Sequence, residues 1–326
     1  MRTRLTTLLL APALLAAGCA SGSGASAGDA DAAGSGETRT VEHAAGTTEV
    51  PADPQRIVTT TDQNALLPLL ELGVSPVGSA GLLDTDGSTT FRRTEGFDTG
   101  GVEFTGAYGE PNLEAVTALD PDLIVGYEFD EDFYDDLSRI APTVLVQIFD
   151  RPLDEALLDF ADLVGERERA EQLQADYEDR IAALREELGA RTDTLSVSAI
   201  SAGDPGTFYR GDVGQAVGTV MDDLGLPRVE AQASDTGDDA YSLEQLGARD
   251  ADLVLVLDYS GEGQDPGVQA LLDSPTYQRL AAVQAGQAHV VDGTETVGAA
   301  WARMDAYLDV LEEHLLTARD DVVVEG

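Results

Sequence analysis

The sequence predicts an α/β protein of two Rossmann-like lobes joined by a single long α-helix. Three observations carry this. Apolar β-branched runs alternate with helical patterns in two sets, one amphipathic stripe runs unbroken between the sets, and a fourteen-residue segment of the first half returns in the second.

In the first set, residues 57–61, 76–80, 123–127 and 143–148 read as buried strands. Residues 66–72, 113–119 and 133–140 read as the helices between them. Strands that are apolar on both faces and separated by helices imply a parallel sheet covered on both sides. Between the sets, Leu157, Phe160, Ala161 and Val164 form one apolar face that stops at Gly165. Leu173, Tyr177, Ile181, Leu184 and Leu188 then recur at helical spacing down to Gly189, a natural stop. A helix over 166–188 would be roughly 34 Å long, about a domain's width, and so a strut rather than a flexible linker. The second set follows, with strands at 195–200, 253–259 and 289–292 and helices at 213–224, 243–247, 268–272 and 299–316.

The repeat aligns 112–125 on 242–255 without gaps. Leu113, Glu114, Ala118, Asp120, Asp122 and Leu123 return as Leu243, Glu244, Ala248, Asp250, Asp252 and Leu253, and Asn112 and Ser242 are interchangeable as helix N-caps. Shared secondary structure explains the caps and the apolar positions. It does not require the glutamate two places after each cap, which points to two lobes of similar topology.

The N-terminus reads differently. Arg2 and Arg4 precede an apolar run over 5–17. As a helix it would cover about 20 Å, short of the roughly 30 Å hydrocarbon core of a bilayer, so it reads as a signal peptide. The run ends in Leu15-Ala16-Ala17-Gly18-Cys19, and Cys19 is the one cysteine in the chain. This spacing resembles a bacterial lipobox, which implies cleavage before Cys19 and a lipid on its thiol. The expected organisation is a signal peptide (1–18), a lipidated flexible linker of small and polar residues (19–37), an N-terminal lobe (38–153), a linking helical segment (154–190), a C-terminal lobe (191–316) and a tail (317–326).

Charge narrows the function. All 19 basic residues are arginine and face 61 acidic ones, for a formal charge of −42. That balance excludes nucleic acid and anionic membrane surfaces as partners, since both need a basic face. An acidic surface without lysine suits high salt, where self-repulsion is screened.

Longer motifs carry a resemblance. The opening strand pattern at 46–58, Gly109-Glu-Pro-Asn-Leu-Glu-Ala-Val with Leu-Asp-Pro-Asp-Leu-Ile124, Ile140-Ala-Pro-Thr-Val144 and Ser274-Pro-Thr-Tyr-Gln-Arg-Leu280 are similar to segments of the siderophore and cobalamin class of periplasmic binding proteins. The resemblance spans about residues 40–316. It implies a class III periplasmic-binding-protein-like fold, with the ligand in the cleft between the lobes. It also implies a monomer that serves an ABC importer from outside the cytoplasm, tethered to the cell membrane by the lipid on Cys19. A ferric siderophore is the commonest ligand of the class, and cobalamin or haem the alternatives. By the same resemblance Glu114 and Glu244 fall on positions that dock the permease subunits.

A cleft between α/β lobes draws its ligand contacts from the carboxyl ends of strands. That selects Arg92, Arg93, Tyr108, Tyr127 and Phe129 in the first lobe, and Phe208, Tyr209, Arg210, Tyr259, Trp301 and Arg303 in the second. Arginine and aromatic side chains suit bulky, anionic, partly aromatic ferric chelates. Trp301 and Arg303 could turn toward the cleft or away from it. No metal site is expected, because the three histidines at 43, 289 and 314 are scattered. The loop at 261–267 only superficially matches a dinucleotide fingerprint, and Pro266 more simply opens a helix. No nucleophile elbow is present, so neither catalysis nor a cofactor is expected. The rival class is a metal-tetrapyrrole enzyme on a similar two-lobed scaffold, which the lipobox disfavours.

Overall fold

The computed structural model describes residues 37–149, 151–211, 215–227, 229, 240–260, 265–319 and 322. The signal sequence, Cys19 and the linker lie outside these residues. The described chain opens with an antiparallel hairpin, β1 (Thr38–His43) and β2 (Gly46–Pro51), in register from Thr38 opposite Pro51 to His43 opposite Gly46.

The first lobe follows with β3 (Ile57–Thr59), α1 (Leu67–Glu71), β4 (Gly78–Leu83), β5 (Thr89–Thr90), β6 (Glu103–Ala107), β7 (Glu110–Pro111), α2 (Leu113–Ala118), β8 (Leu123–Tyr127), α3 (Glu131–Leu137) and β9 (Thr143–Val146). Its sheet runs β7-β6-β4-β3-β8-β9, with β5 beside β4. The pairs from β6 through to β9 are parallel, and β7 is antiparallel. Chain order therefore reverses between β3 and β8. In open α/β sheets the crevice beyond the carboxyl ends of the strands at such a reversal is where ligands bind. Gly126, within β8, permits close packing there. A Cβ on it would stand 2.6 Å from Thr60 Oγ1 and 2.7 Å from Asp130 Oδ2.

Two helices lead out of this lobe. α4 (Leu153–Val164) ends on Gly165 in the left-handed region at φ 77°, and α5 (Arg167–Leu188) ends on Gly189. Tyr177, Ile181, Leu184 and Leu188 are buried along the expected stripe of α5. Each of the aliphatic ones contributes roughly 1.5–3 kcal/mol by leaving water.

The second lobe comprises β10 (Val197–Ala202), β11 (Thr207–Arg210), α6 (Gln215–Leu224), β12 (Tyr241–Ser242), β13 (Leu253–Asp258), α7 (Pro266–Asp273), α8 (Ala281–Ala285), β14 (Ala288–Asp292) and α9 (Trp301–Leu315). Its sheet order is β12-β11-β10-β13-β14. Here β10, β13 and β14 are parallel, whereas β11 and β12 fold back antiparallel. The lobes therefore share a local unit rather than one whole topology. In each, an edge strand leads through a polar cap into a helical turn and then a central parallel strand. The second copy of that turn, Leu243–Arg249, is a 3-10 helix where α2 is an α-helix. α7 begins at Pro266, behind an Asp265 cap.

The core does not stop at the lobe boundary. One apolar cluster runs from Val50, Leu123 and Val146 through Phe160, Tyr177 and Leu184 to Leu255, Trp301 and Leu311. α5 packs on α4, α6 and α9, so the strut lays one face on that shared core and leaves its others to solvent.

Candidate binding site at the lobe junction

The reversal between β3 and β8 is polar where the strands end. Thr60 Oγ1 donates to Asp130 Oδ2 at 2.6 Å, and the Tyr127 backbone N–H donates to the same oxygen at 3.1 Å. Burial pushes the Asp130 carboxyl above its usual range, against the pull of these two bonds. Two residues past Thr60, the fully buried Asp62 takes hold of Arg92. Its Oδ2 accepts from Arg92 N and Nε at 2.8 and 2.9 Å, and its Oδ1 from a terminal guanidinium nitrogen at 2.7 Å. A bidentate pair of this kind fixes the orientation of an arginine. Arg92 lies over the Tyr108 ring, 5.2 Å from its centroid, and the Tyr108 and Tyr127 hydroxyls meet at 2.6 Å. Burial and this contact raise the Tyr127 phenol well above its usual pKa, so it stays protonated and can donate.

Phe129 extends the same surface. Its ring stands edge-on to Tyr127 at 5.4 Å and stacks on Phe149 at 4.9 Å. Phe149 is held there because the Glu128 carboxylate accepts from the Ile148 and Phe149 N–H groups. Tyr108 is 46% exposed and Phe129 60% exposed, so this wall of rings faces open space. The sequence reading placed Arg92, Tyr108, Tyr127 and Phe129 as candidates, and the structure brings them together. It missed Asp62, Glu128 and Phe149. The signal for Asp62 was legible, in the polar run Thr60-Thr61-Asp62-Gln63-Asn64 directly after an apolar strand.

The second lobe treats its candidates differently. Tyr259, just past β13, is 40% exposed and its ring covers Gly293. Burial pushes its hydroxyl up to about 12, against the opposing effect of a hydrogen bond with Thr296. The Tyr209 ring lies across Gly203 and is half-buried. Phe208 and Arg210 correct the sequence reading. Both sit on the inward phase of β11, Phe208 at 0% exposure against Tyr241, and Arg210 at 6%. Phe208 belongs to an apolar cluster of this lobe, and Arg210 lies on the same face, because alternate positions on a strand share a face.

Trp301 and Arg303 resolve inward too. Trp301 is 1% exposed and belongs to the shared core. Arg303 is 4% exposed and bridges the lobes, donating to Glu295 Oε2 and to the Arg93 carbonyl, each at 2.6 Å. Arg93 has φ 61°, a rare conformation for a residue other than glycine. The Arg303 bond to its carbonyl holds Arg93 in that conformation. Gly298, at φ 112°, lets the same stretch close on the first lobe, where a Cβ would stand 2.9 Å from Leu67 Cδ2. A continuous series of contacts thus runs from Arg92 and Arg93 through Arg303 and Glu295 to Thr296 and Tyr259, along the junction.

Glu114 and Glu244 are both exposed in the first turn after their caps. Asn112 accepts from Glu114 N and Ala115 N at 3.1 Å, and Ser242 from Glu244 N at 3.3 Å. No ion pair joins either carboxylate to another described residue. No group of three or more metal-ligating side chains occurs among the described residues.

Two lobes, a shared helical core and a crevice at a chain reversal are an architecture used by binding proteins and enzymes alike, and the relatives of the chain decide between them. The family model described as "Periplasmic binding protein" matches residues 92–294, and this chain belongs to that family. Among its relatives, the "Probable siderophore-binding lipoprotein YfiY" of Bacillus subtilis is 31% identical over 87% of this chain and 90% of that protein. The iron(3+)-hydroxamate-binding protein FhuD of the same organism is 28% identical over 87% and 88%. Among solved structures, Staphylococcus aureus SirA complexed with staphyloferrin B superposes with a TM-score of 0.73 at 26% identity, covering 87% of this chain and all of that one.

Proposed function

We infer that this chain is the substrate-binding component of an ABC importer. It captures a ferric siderophore at the lobe junction and hands it to the membrane subunits. One observation carries the reading. An arginine fixed by a buried carboxylate lies over an exposed tyrosine, continuous with Tyr127, Phe129 and Phe149, at the ligand-binding crevice of an α/β sheet. A bulky chelate with anionic edges and flat arms matches such a wall, through charge at Arg92, hydrogen bonds from the phenols and stacking on the rings. The names of the relatives support a ferric chelate over cobalamin or haem. The lipobox supports attachment to the outer face of the cell membrane through Cys19.

Isothermal titration of the ligand-free protein tests the capture. The probes are ferric hydroxamate, ferric catecholate and ferric citrate complexes, with haem and cobalamin beside them. One ferric complex should bind with one-to-one stoichiometry. Binding of cobalamin or haem with no ferric complex bound would overturn the ligand class and leave the family intact. For the anchor, Cys19→Ala should release the protein to the medium or leave it uncleaved. Mass spectrometry of membrane-bound wild-type protein carrying an unmodified Cys19 would refute the tether.

A further inference from the structure

The arginines at the junction are matched by acids, with one exception. Asp62 grips the Arg92 guanidinium through two bonds, at 2.9 and 2.7 Å, and Glu295 grips Arg303 at 2.6 Å. Arg93 is the exception. Its guanidinium donates to no described residue, and its Nε is buried.

Carboxylates outnumber that unmatched cation. Glu128, half-buried beside Phe129, accepts through Oε1 from the Ile148 and Phe149 N–H groups at 2.9 and 2.7 Å and is paired with no arginine among the described residues. In the second lobe Asp258 and Asp292 close the parallel strands β13 and β14 side by side, directly before Tyr259 and the Gly293 that its ring covers. Asp258 Oδ1 accepts from the Ser260 N–H at 2.9 Å, its Oδ2 is buried without a described partner, and Asp292 Oδ1 caps Thr294. Neither forms an ion pair with a described residue. The residues that follow β11 and β13 in the sequence, 212–214 and 261–264, include Asp212 and Glu262 and no basic side chain. The junction therefore carries no net positive charge, even with Asp130 left aside, whose burial favours its protonated form. The chain around it has a formal charge of −42.

We propose that the junction selects its ferric siderophore by charge, taking neutral or cationic chelates of the tris-hydroxamate class and rejecting polyanionic tris-catecholates. The inference rests on the siderophore reading and narrows it. Three hydroxamates balance ferric iron, whereas three catecholates leave the complex a trianion. A trianion that enters a half-buried wall gives up hydration and needs cations in exchange. Arg93 is the one unmatched guanidinium at hand, and Glu128, Asp258 and Asp292 oppose it. A neutral chelate needs only donors to its coordinating oxygens. Arg92 and the Tyr108 and Tyr127 hydroxyls supply them, while Asp62 cancels the charge that Arg92 brings. The unmatched carboxylates are the repulsive element that discrimination between similar ligands requires.

One linear ferric tris-hydroxamate separates charge from shape. With its terminal amine free, acetylated or succinylated, it is cationic, neutral or anionic around an unchanged iron centre. In isothermal titration at about 20 mM salt, the first two forms should bind about tenfold tighter than the third, and a ferric tris-catecholate should bind more weakly still. Raising the salt to about 500 mM should tighten the anionic forms and leave the neutral one within about twofold. Glu128→Gln keeps the acceptor oxygen for both N–H groups and removes a charge. It should narrow the gap between the neutral and anionic forms by about threefold. Equal affinity for the three forms, tightest binding of the succinylated form or the tris-catecholate at low salt, or an anion affinity that falls as salt rises would each overturn the charge selection and leave the siderophore reading intact. Binding of haem or cobalamin, and of no ferric chelate, would overturn both.

Discussion

Each lobe contains an arginine stacked on a tyrosine, and the two stacks do opposite work. In the first lobe Arg92 lies 5.2 Å over Tyr108, whose ring is 46% exposed. In the second, Arg249 lies 4.8 Å over Tyr241, with Arg249 only 4% exposed and the Phe208 ring 5.6 Å from that of Tyr241. The first stack is held by the buried Asp62 and opens to solvent. The second closes an edge of the core. Composition does not separate them. What separates them is where each lies on its sheet: one beyond the strand ends at a chain reversal, the other on the inward phase of an antiparallel edge.

Substitutions sharpen this contrast. Phe208→Ala should have the largest effect on folding, a loss of roughly 3–5 kcal/mol as for other buried aromatic truncations. Urea unfolding measures it, and ligand affinity of the folded fraction should stay at the wild-type value. A well-folded Phe208→Ala with weakened binding would put β11 in the cleft and erase the distinction. Arg92→Ala should cost less stability, about 2 kcal/mol, since it strands the buried Asp62 carboxylate while its own side chain is 28% exposed. It should lower ligand affinity at least tenfold. Arg92→Ala with unchanged affinity would remove the first stack from the site. Phe129→Ala should leave stability within about 0.5 kcal/mol, as at other exposed positions. It should still weaken the ferric complex by about tenfold, read by the same titration.

Much of the fold was legible in the sequence, for identifiable reasons. β8 falls on its expected residues because an apolar run with nothing polar to cap it can only be buried. α5 follows its stripe and stops at glycine. The β1–β2 hairpin was only half legible, since Val41 and Val50 are its sole large apolar side chains and its loop, Ala44-Ala45, carries no turn signal. The antiparallel turn into β11 did leave a mark, Gly203-Asp204-Pro205-Gly206, with Gly206 at φ 92°. Reading it would have put Phe208 and Arg210 on one face and Tyr209 on the other. In the site, residue type identified the rings but not their supports. Asp62 and Glu128 act through carboxylates on partners 20 to 30 residues away. Only the fold can supply such pairs.

A further small effect on folding belongs to the one feature the lobes share most closely. Glu114 and Glu244 occupy the same place in the repeated unit, one per lobe, two residues after a cap that accepts the glutamate's own backbone N–H. A carboxylate there contributes about 0.3–1 kcal/mol through the helix dipole, and a purely structural role requires nothing more. Exposure allows for more, since neither carboxylate is paired with a described residue. Arginines on the two membrane subunits of the importer would find one such group on each lobe, and charge-assisted bonds at both would fix the orientation of the loaded protein. Glu114→Ala combined with Glu244→Ala should therefore lower the melting temperature by a few degrees at most, for a loss of about 0.6–2 kcal/mol, and leave ligand affinity unchanged while stopping uptake of the ferric complex by cells. High salt screens the rim of such an interface, so the surviving attraction must come from close pairs largely shielded from solvent. Uptake at the wild-type rate by the double variant, expressed at its native level, would leave both glutamates as first-turn charges on the helix dipole and place the docking surface elsewhere.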